Sequence, residues 1–260
     1  MKLNYKRYSD DGPPLLVLHG LFGSLANLGW HSKQLAEDFA VIGVDLRNHG
    51  DSPHAGEMDY PVMAEDVKEL MDALAIKPAA LIGHSMGGKV AMQLALSHPD
   101  YVERLLVVDI APVTYSATND GHRQIMEAMK ALDLAALGNR ADAEARLSEV
   151  IEDEATRKFI LTNLTRSDDG TYHWRLNLDA IERHYDHLRE KPEGEGPYEG
   201  PTLFVRGDLS RYVHKKHEPE ILALFPQAGV KSVMETGHWV HAEKPQVFQK
   251  IVRDFLTKEE

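Results

Sequence analysis

The sequence predicts an α/β fold: a mostly parallel sheet flanked by helices and interrupted once by a helical insertion. Three observations predict it. Short continuous apolar runs alternate with amphipathic segments up to Pro112. The same alternation resumes after residue 200. Between these points, apolar residues recur at helical spacing without a strand-like run. Runs that are apolar at every position fit strands covered on both faces, as in parallel sheets. Strand–helix alternation then implies right-handed crossovers.

Taken in order, Leu15-Leu16-Val17-Leu18 and the run 39–44 read as the first buried strands. Residues 60–75 place Val62, Val67, Leu70, Met71 and Leu74 on one helical face. The runs 79–82 and 105–108 are further strands, and residues 86–97 form the helix between them. Residues 114–190 carry four apolar stripes at helical intervals, with a turn at Asp168-Asp169-Gly170. The Pro-, Gly- and Glu-rich stretch 191–200 reads as a mobile linker. Strands at 202–205 and 230–235 and helices at 214–225 and 243–257 complete the pattern. Residues 1–113 and 191–260 are thus expected to form a core domain, and 114–190 a helical cap inserted in it.

The chain has 260 residues, 43% of them hydrophobic, enough for one large α/β domain with a modest insertion. A net charge of −12 and the lack of a basic block argue against nucleic acid and against anionic membranes. There are no cysteines, which excludes disulfides, thiolate chemistry and Cys-ligated metals. No apolar run suits a signal peptide or a membrane span, so a cytoplasmic protein without stable membrane anchoring is expected. Nothing in the sequence sets an oligomeric state.

Chemistry concentrates at Gly83-His84-Ser85-Met86-Gly87, a Gly-x-Ser-x-Gly motif between a strand and a helix. There the glycines allow a sharp turn whose tip holds a strained, exposed nucleophile, Ser85. The helix start behind it offers free N–H groups to an oxyanion, Met86 first among them. His19-Gly20-Leu21-Phe22-Gly23 follows a strand and can supply the second donor from Leu21, with Phe22 as the alternative. His19 itself reads as a hydrogen bonder that fixes the loop. His238, on the loop after the last strand, suits a general base because imidazole exchanges protons near neutral pH. His241 is its competitor, better placed as a structural residue at the start of the closing helix. Asp45 and Arg47 read as ties between loops beneath the site. The pairs His184/His187, His214/His217 and His238/His241 lack supporting metal ligands, so no metal is expected.

The ordered motifs HGLFGS, DLRNHGDSP, GHSMGGK, VVDIAP and GHWVHAEKP resemble the α/β-hydrolase superfamily over essentially the whole chain, and more narrowly the bacterial YbfF-type esterases. The resemblance implies a carboxylesterase or acyl-thioester hydrolase with a mobile cap and no cofactor. It also implies a triad of Ser85, Asp109 and His238. One departure stands out. The superfamily's usual acid position is Ser210, while Asp208 lies two residues early, so Asp208 remains the alternative acid. The expected substrate is a small-molecule acyl ester, with an acyl-CoA thioester as runner-up and Arg211, Lys215 and Lys216 near the cleft edge to meet it. A lyase using the triad as a base, or a non-catalytic binding protein, are the other readings. Phe22, Met126, Met129, Trp174, Leu176, Tyr212 and Trp239 are candidate pocket walls.

Overall fold

The computed structural model describes residues 1–116 and 121–258. The expected cap therefore includes four residues, 117–120, outside the described set. Among the described residues, nine strands run in order as β1 (Tyr5–Arg7), β2 (Pro14–Leu18), β3 (Ala40–Val44), β4 (Ala79–His84), β5 (Val102–Val108), β6 (Leu164–Arg166), β7 (Tyr172–Trp174), β8 (Thr202–Gly207) and β9 (Ala228–Val233). The α-helices are α1 (Gly29–Leu35), α2 (Tyr60–Leu74), α3 (Met86–Ser97), α4 (Gly121–Ala131), α5 (Arg140–Leu147), α6 (Glu154–Leu161), α7 (Leu178–Arg183), α8 (Glu218–Leu224), α9 (Val240–Glu243) and α10 (Pro245–Leu256).

Seven strands form one sheet in the order β1-β3-β2-β4-β5-β8-β9. Only β1 is antiparallel to its neighbour. Successive strand residues face opposite sides, and the core divides accordingly. Leu16, Leu18, Ile42, Leu81, Leu105 and Val107 pack with α2, α3 and helices of the insertion. Leu15, Val17, Val41, Ile82, Leu106 and Val108 pack with α1 and α10. This two-sided burial is why the strand sequences are apolar throughout rather than alternating. Truncating one of these buried leucines to alanine costs about 2–5 kcal/mol.

The parallel strands all point their C-terminal ends at one edge. The loops after β2, β4, β5, β8 and β9 carry His19 to Gly23, Ser85, Asp109, Ser210 and His238 there. That edge is where open α/β sheets bind ligands. The insertion covers it with α4 to α7 and a two-stranded hairpin. Among the described residues, no helix is long and apolar enough to cross a membrane.

Two expectations need correction. The turn at Asp168-Asp169-Gly170 joins β6 to β7 rather than two helices. Gly170 takes φ +88°, and its N–H donates to the Ser167 carbonyl at 2.9 Å. Strands spelled Leu-Thr-Arg and Tyr-His-Trp are too short and polar to announce themselves. The second correction is the linker 191–200, which is tied down. Gln93 exchanges two hydrogen bonds with the Glu193 backbone, at 2.6 and 2.9 Å. Tyr198 is buried, and its hydroxyl donates to the Val102 carbonyl at 3.0 Å.

Lys89 lies buried in α3 and reaches the roots of the insertion. Its Nζ donates to the carbonyls of Val113 (2.9 Å), Arg189 (3.0 Å) and Glu190. The rings of Tyr60 and Tyr115 flank the amine, and burial pulls its pKa down to about 7. One side chain thus ties the segment that follows β5 to the segment that precedes β8.

Candidate active site

Ser85 sits between β4 and α3 with φ +51° and ψ −118°. Such a conformation costs a non-glycine residue on the order of 1–3 kcal/mol and persists only where the surroundings enforce it. Here they do. A Cβ on Gly83 would lie 2.3 Å from the Gly87 carbonyl oxygen, and one on Gly87 would lie 2.5 Å from that of His19. Only glycine lets strand, turn and the neighbouring loop approach so closely. The Ser85 N–H donates to the Val108 carbonyl at 2.9 Å, fixing the turn to β5. Ser85 nevertheless borders open space, because it lines two cavities.

His238 follows β9, and its Nδ1–H donates to Asp109 Oδ2 at 2.7 Å. Asp109 ends β5, is fully buried, and also takes positive φ, +51°. Its Oδ2 accepts the Ser210 hydroxyl as well, and its Oδ1 accepts the Gly207 N–H at 3.1 Å. Asp208 is turned elsewhere: its Oδ1 accepts the Thr236 N–H at 3.2 Å and anchors the loop carrying His238. The Tyr212 ring lies against His238 at 4.2 Å between centroids, tilted 36°. The half-buried Tyr115 hydroxyl donates to the Tyr212 carbonyl at 2.6 Å and so ties that segment down.

The loop after β2 is organised by two neutral histidines. Leu46 N–H donates to His19 Nε2 at 3.0 Å, so the ring proton sits on Nδ1, where the Gly20 carbonyl accepts it at 2.8 Å. Phe22 N–H donates to His49 Nε2 at 3.2 Å, while His49 Nδ1–H donates to the Arg47 carbonyl at 3.0 Å. Burial lowers both pKa values, that of His49 to about 3. Phe22 N–H is therefore occupied. Leu21 N–H and Met86 N–H carry no bond to another described residue. Beneath this loop, Asp45 accepts N–H groups from Leu25 at 2.7 Å and Asp51 at 2.9 Å. Arg47 Nε donates to Asp66 Oδ2 at 2.6 Å.

His241 lies in α9, and its carbonyl accepts the His31 Nε2–H at 2.9 Å. Its ring is buried against the His84 ring at 4.6 Å between centroids. Burial lowers its pKa to about 3. Burial also holds His84 well below the ordinary histidine value, and its Nε2–H donates to the His238 carbonyl at 3.0 Å. No group of three metal-ligating side chains occurs among the described residues.

One cavity at Ser85 measures about 230 Å³ and is walled by Phe22, Phe159, Ile160, Tyr212 and Trp239, with His238 at its edge. The other, about 660 Å³, opens past Tyr60, Tyr115 and Leu188 toward Arg189, Arg211 and Lys216. Leu21, Ser85, His122, Ile125 and Tyr212 border both. Of the candidate walls, Phe22, Tyr212 and Trp239 are where the sequence suggests. Met126, Met129, Trp174 and Leu176 are not; they pack in the interior of the insertion, where Trp174 Nε1–H donates to the Met129 carbonyl at 3.0 Å. On α4, the face toward Ser85 is instead His122 and Ile125, one helical turn apart. Phe159 and Ile160 of α6 were equally visible as an apolar pair, but nothing local says that they face the cavity.

The alpha/beta hydrolase fold family model matches residues 13–245. The sn-1-specific diacylglycerol lipase ABHD11 of Mus musculus is 43% identical over 266 residues, covering 99% of this chain and 86% of the relative. Esterase YbfF of Escherichia coli (strain K12) is 37% identical over 261 residues, covering 99% of this chain and all (100%) of that protein. A solved marine microorganism esterase superposes with a TM-score of 0.96 at 38% identity, covering 98% of this chain and 99% of its own.

Proposed function

This chain belongs to the α/β-hydrolase family, and on that premise we propose that it hydrolyses small to medium acyl esters through an acyl-enzyme on Ser85. The observation that carries the reading is the strained Ser85 at the mouth of a cavity edged by the His238–Asp109 pair. Relatives named as esterase and diacylglycerol lipase support an ester as substrate. In the proposed cycle, His238 Nε2 takes the Ser85 hydroxyl proton as Oγ attacks the ester carbonyl. Asp109 holds the ring by its Nδ1–H and stabilises the imidazolium. Leu21 and Met86 N–H groups receive the oxyanion, each worth about 3 kcal/mol in the transition state. The tetrahedral intermediate collapses, and the alcohol leaves with the proton from His238. Water, deprotonated by the same imidazole, then attacks the acyl-enzyme and releases the acid. The cavity walled by Phe22, Phe159, Ile160 and Trp239 suits an apolar acyl chain.

An acyl thioester is cleaved by the same steps with sulfur leaving, and the cationic wall of the second cavity favours it as the second substrate class. An acyl-chain series of p-nitrophenyl esters and matching CoA thioesters, run on wild type and Ser85→Ala, tests the proposal. The expected result is turnover of short and medium chains and loss of several orders of magnitude in the variant. Release of free acid and alcohol distinguishes hydrolysis from a lyase, and an inert binder releases neither. Equal turnover by Ser85→Ala would overturn the proposal.

A further inference from the structure

The two cavities that meet at Ser85 differ in charge. Beyond their shared residues, the smaller is walled mainly by aromatic and aliphatic side chains and by histidines, of which His19, His84 and His241 are held neutral by burial. The larger carries Arg189, Arg211 and Lys216, with His214 beside them, and no carboxylate among the described residues that line it. The chain has 41 acidic and 29 basic residues, so this wall departs from the background sign of the molecule. Arg189 is paired with Asp186 at 2.6 Å. Arg211 and Lys216 have no carboxylate partner among the described residues. Two cations without a carboxylate partner among the described residues therefore face a cleft whose other walls include Tyr60, Val113 and Leu188.

We propose that the larger cavity is a subsite for an anionic group, a carboxylate or a phosphate, borne on one arm of the ester whose apolar arm occupies the smaller cavity. This rests on Ser85 cleaving an ester. A cleft lined by one sign of charge and bounded by low-dielectric walls concentrates its field inside. At net charge −12, the rest of the surface repels the same ligand, so a local cationic wall is what allows an anionic substrate to dwell beside the nucleophile. Arg211 offers a planar fork suited to two oxyacid oxygens, and Lys216 a mobile point charge. Together they select an oxyacid group rather than a neutral polar one.

The test uses the full chain and four esters: propyl butyrate, monopropyl succinate, carboxyethyl butyrate and phosphoethyl butyrate. The quantity read is kcat/KM for each anionic ester divided by that for propyl butyrate. In Arg211→Gln/Lys216→Gln, this ratio falls about tenfold for at least one anionic ester, chiefly through KM, as for loss of a charge-assisted contact. The responding ester tells whether the anion rides on the acyl or the alcohol arm, and whether carboxylate or phosphate is preferred. Arg211→Lys keeps most of the ratio. Added salt lowers the ratio in wild type and not in the double variant. Ratios unchanged for all three anionic esters would overturn the subsite. If Ser85→Ala still cleaved propyl butyrate, the ester reading itself would fail; if Ser85 is required but the ratios do not move, only the subsite fails.

Discussion

Asp109 gives one carboxylate oxygen to both His238 and Ser210. Its Oδ2 accepts the imidazole Nδ1–H at 2.7 Å and the serine hydroxyl, while Oδ1 is held by the Gly207 N–H. Three donors compensate a buried charge that would otherwise be costly. Ser210, at the position where the family resemblance would put an acid, thus donates to the carboxylate at the end of the neighbouring strand.

That relationship predicts the outcome of moving the acid. Asp109→Asn should lower kcat about 10⁴-fold, because the imidazole loses the group that fixes its tautomer. Asp208→Asn should cost far less, since Asp208 holds only the Thr236 N–H. Adding Ser210→Asp to Asp109→Asn returns a carboxylate to within reach of the ring and should recover at least about tenfold. Steady-state kinetics of the three variants check this, and a crippled Asp208→Asn beside a near-normal Asp109→Asn would reverse the assignment.

The pH profile should have a single-proton acid limb. His238 must be unprotonated to accept the serine proton, so kcat/KM falls as acid charges the ring. His49 and His241, held near 3, and His84, held well down by burial, stay neutral between about pH 5 and 8 and add no limb. His238→Ala should abolish activity. His241→Ala should leave the limb in place, measured as log kcat/KM against pH. Loss of the limb in the His241 variant would transfer the role to that ring.

Lys89→Met should destabilise the protein and loosen the insertion. The substitution strips the ammonium from the carbonyls of Val113, Arg189 and Glu190. These acceptors are only partly buried and the Arg189 carbonyl keeps the Tyr115 N–H, so a loss on the order of 1–3 kcal/mol is expected in denaturant unfolding. Amide exchange in α4 to α7 should quicken more than in β4 or β5. Uniform exchange throughout would mean that Lys89 supports the core and not the insertion.

The sheet was legible because the runs Leu15–Leu18, Ala40–Val44, Ala79–Gly83, Leu105–Val108 and Leu203–Val205 are buried on both faces and carry no polar side chain. The edge strand β1, Tyr5–Arg7, is exposed at every position and has no such signature. Helix α1, Gly-Trp-His-Ser-Lys-Gln-Leu, carries too short an apolar stripe to be read from the sequence. The sharp turn at Ser85 and its flanking glycines were readable because such a turn restricts which residues can occupy it. The cavity walls were not. Ile125 and Met126 are neighbours about 100° apart on α4, and one faces the site while the other is buried in the insertion. Only the docking of that helix decides which.

The central claim, that Ser85 is the nucleophile, is tested most directly by intact-protein mass spectrometry after exposure to a fluorophosphonate. The account predicts one adduct per chain, mapped to Ser85, formed faster as pH rises through the histidine range. No adduct should form in Ser85→Ala, and only a slow one in His238→Ala. An adduct on another residue, or equal labelling of Ser85→Ala, would contradict it.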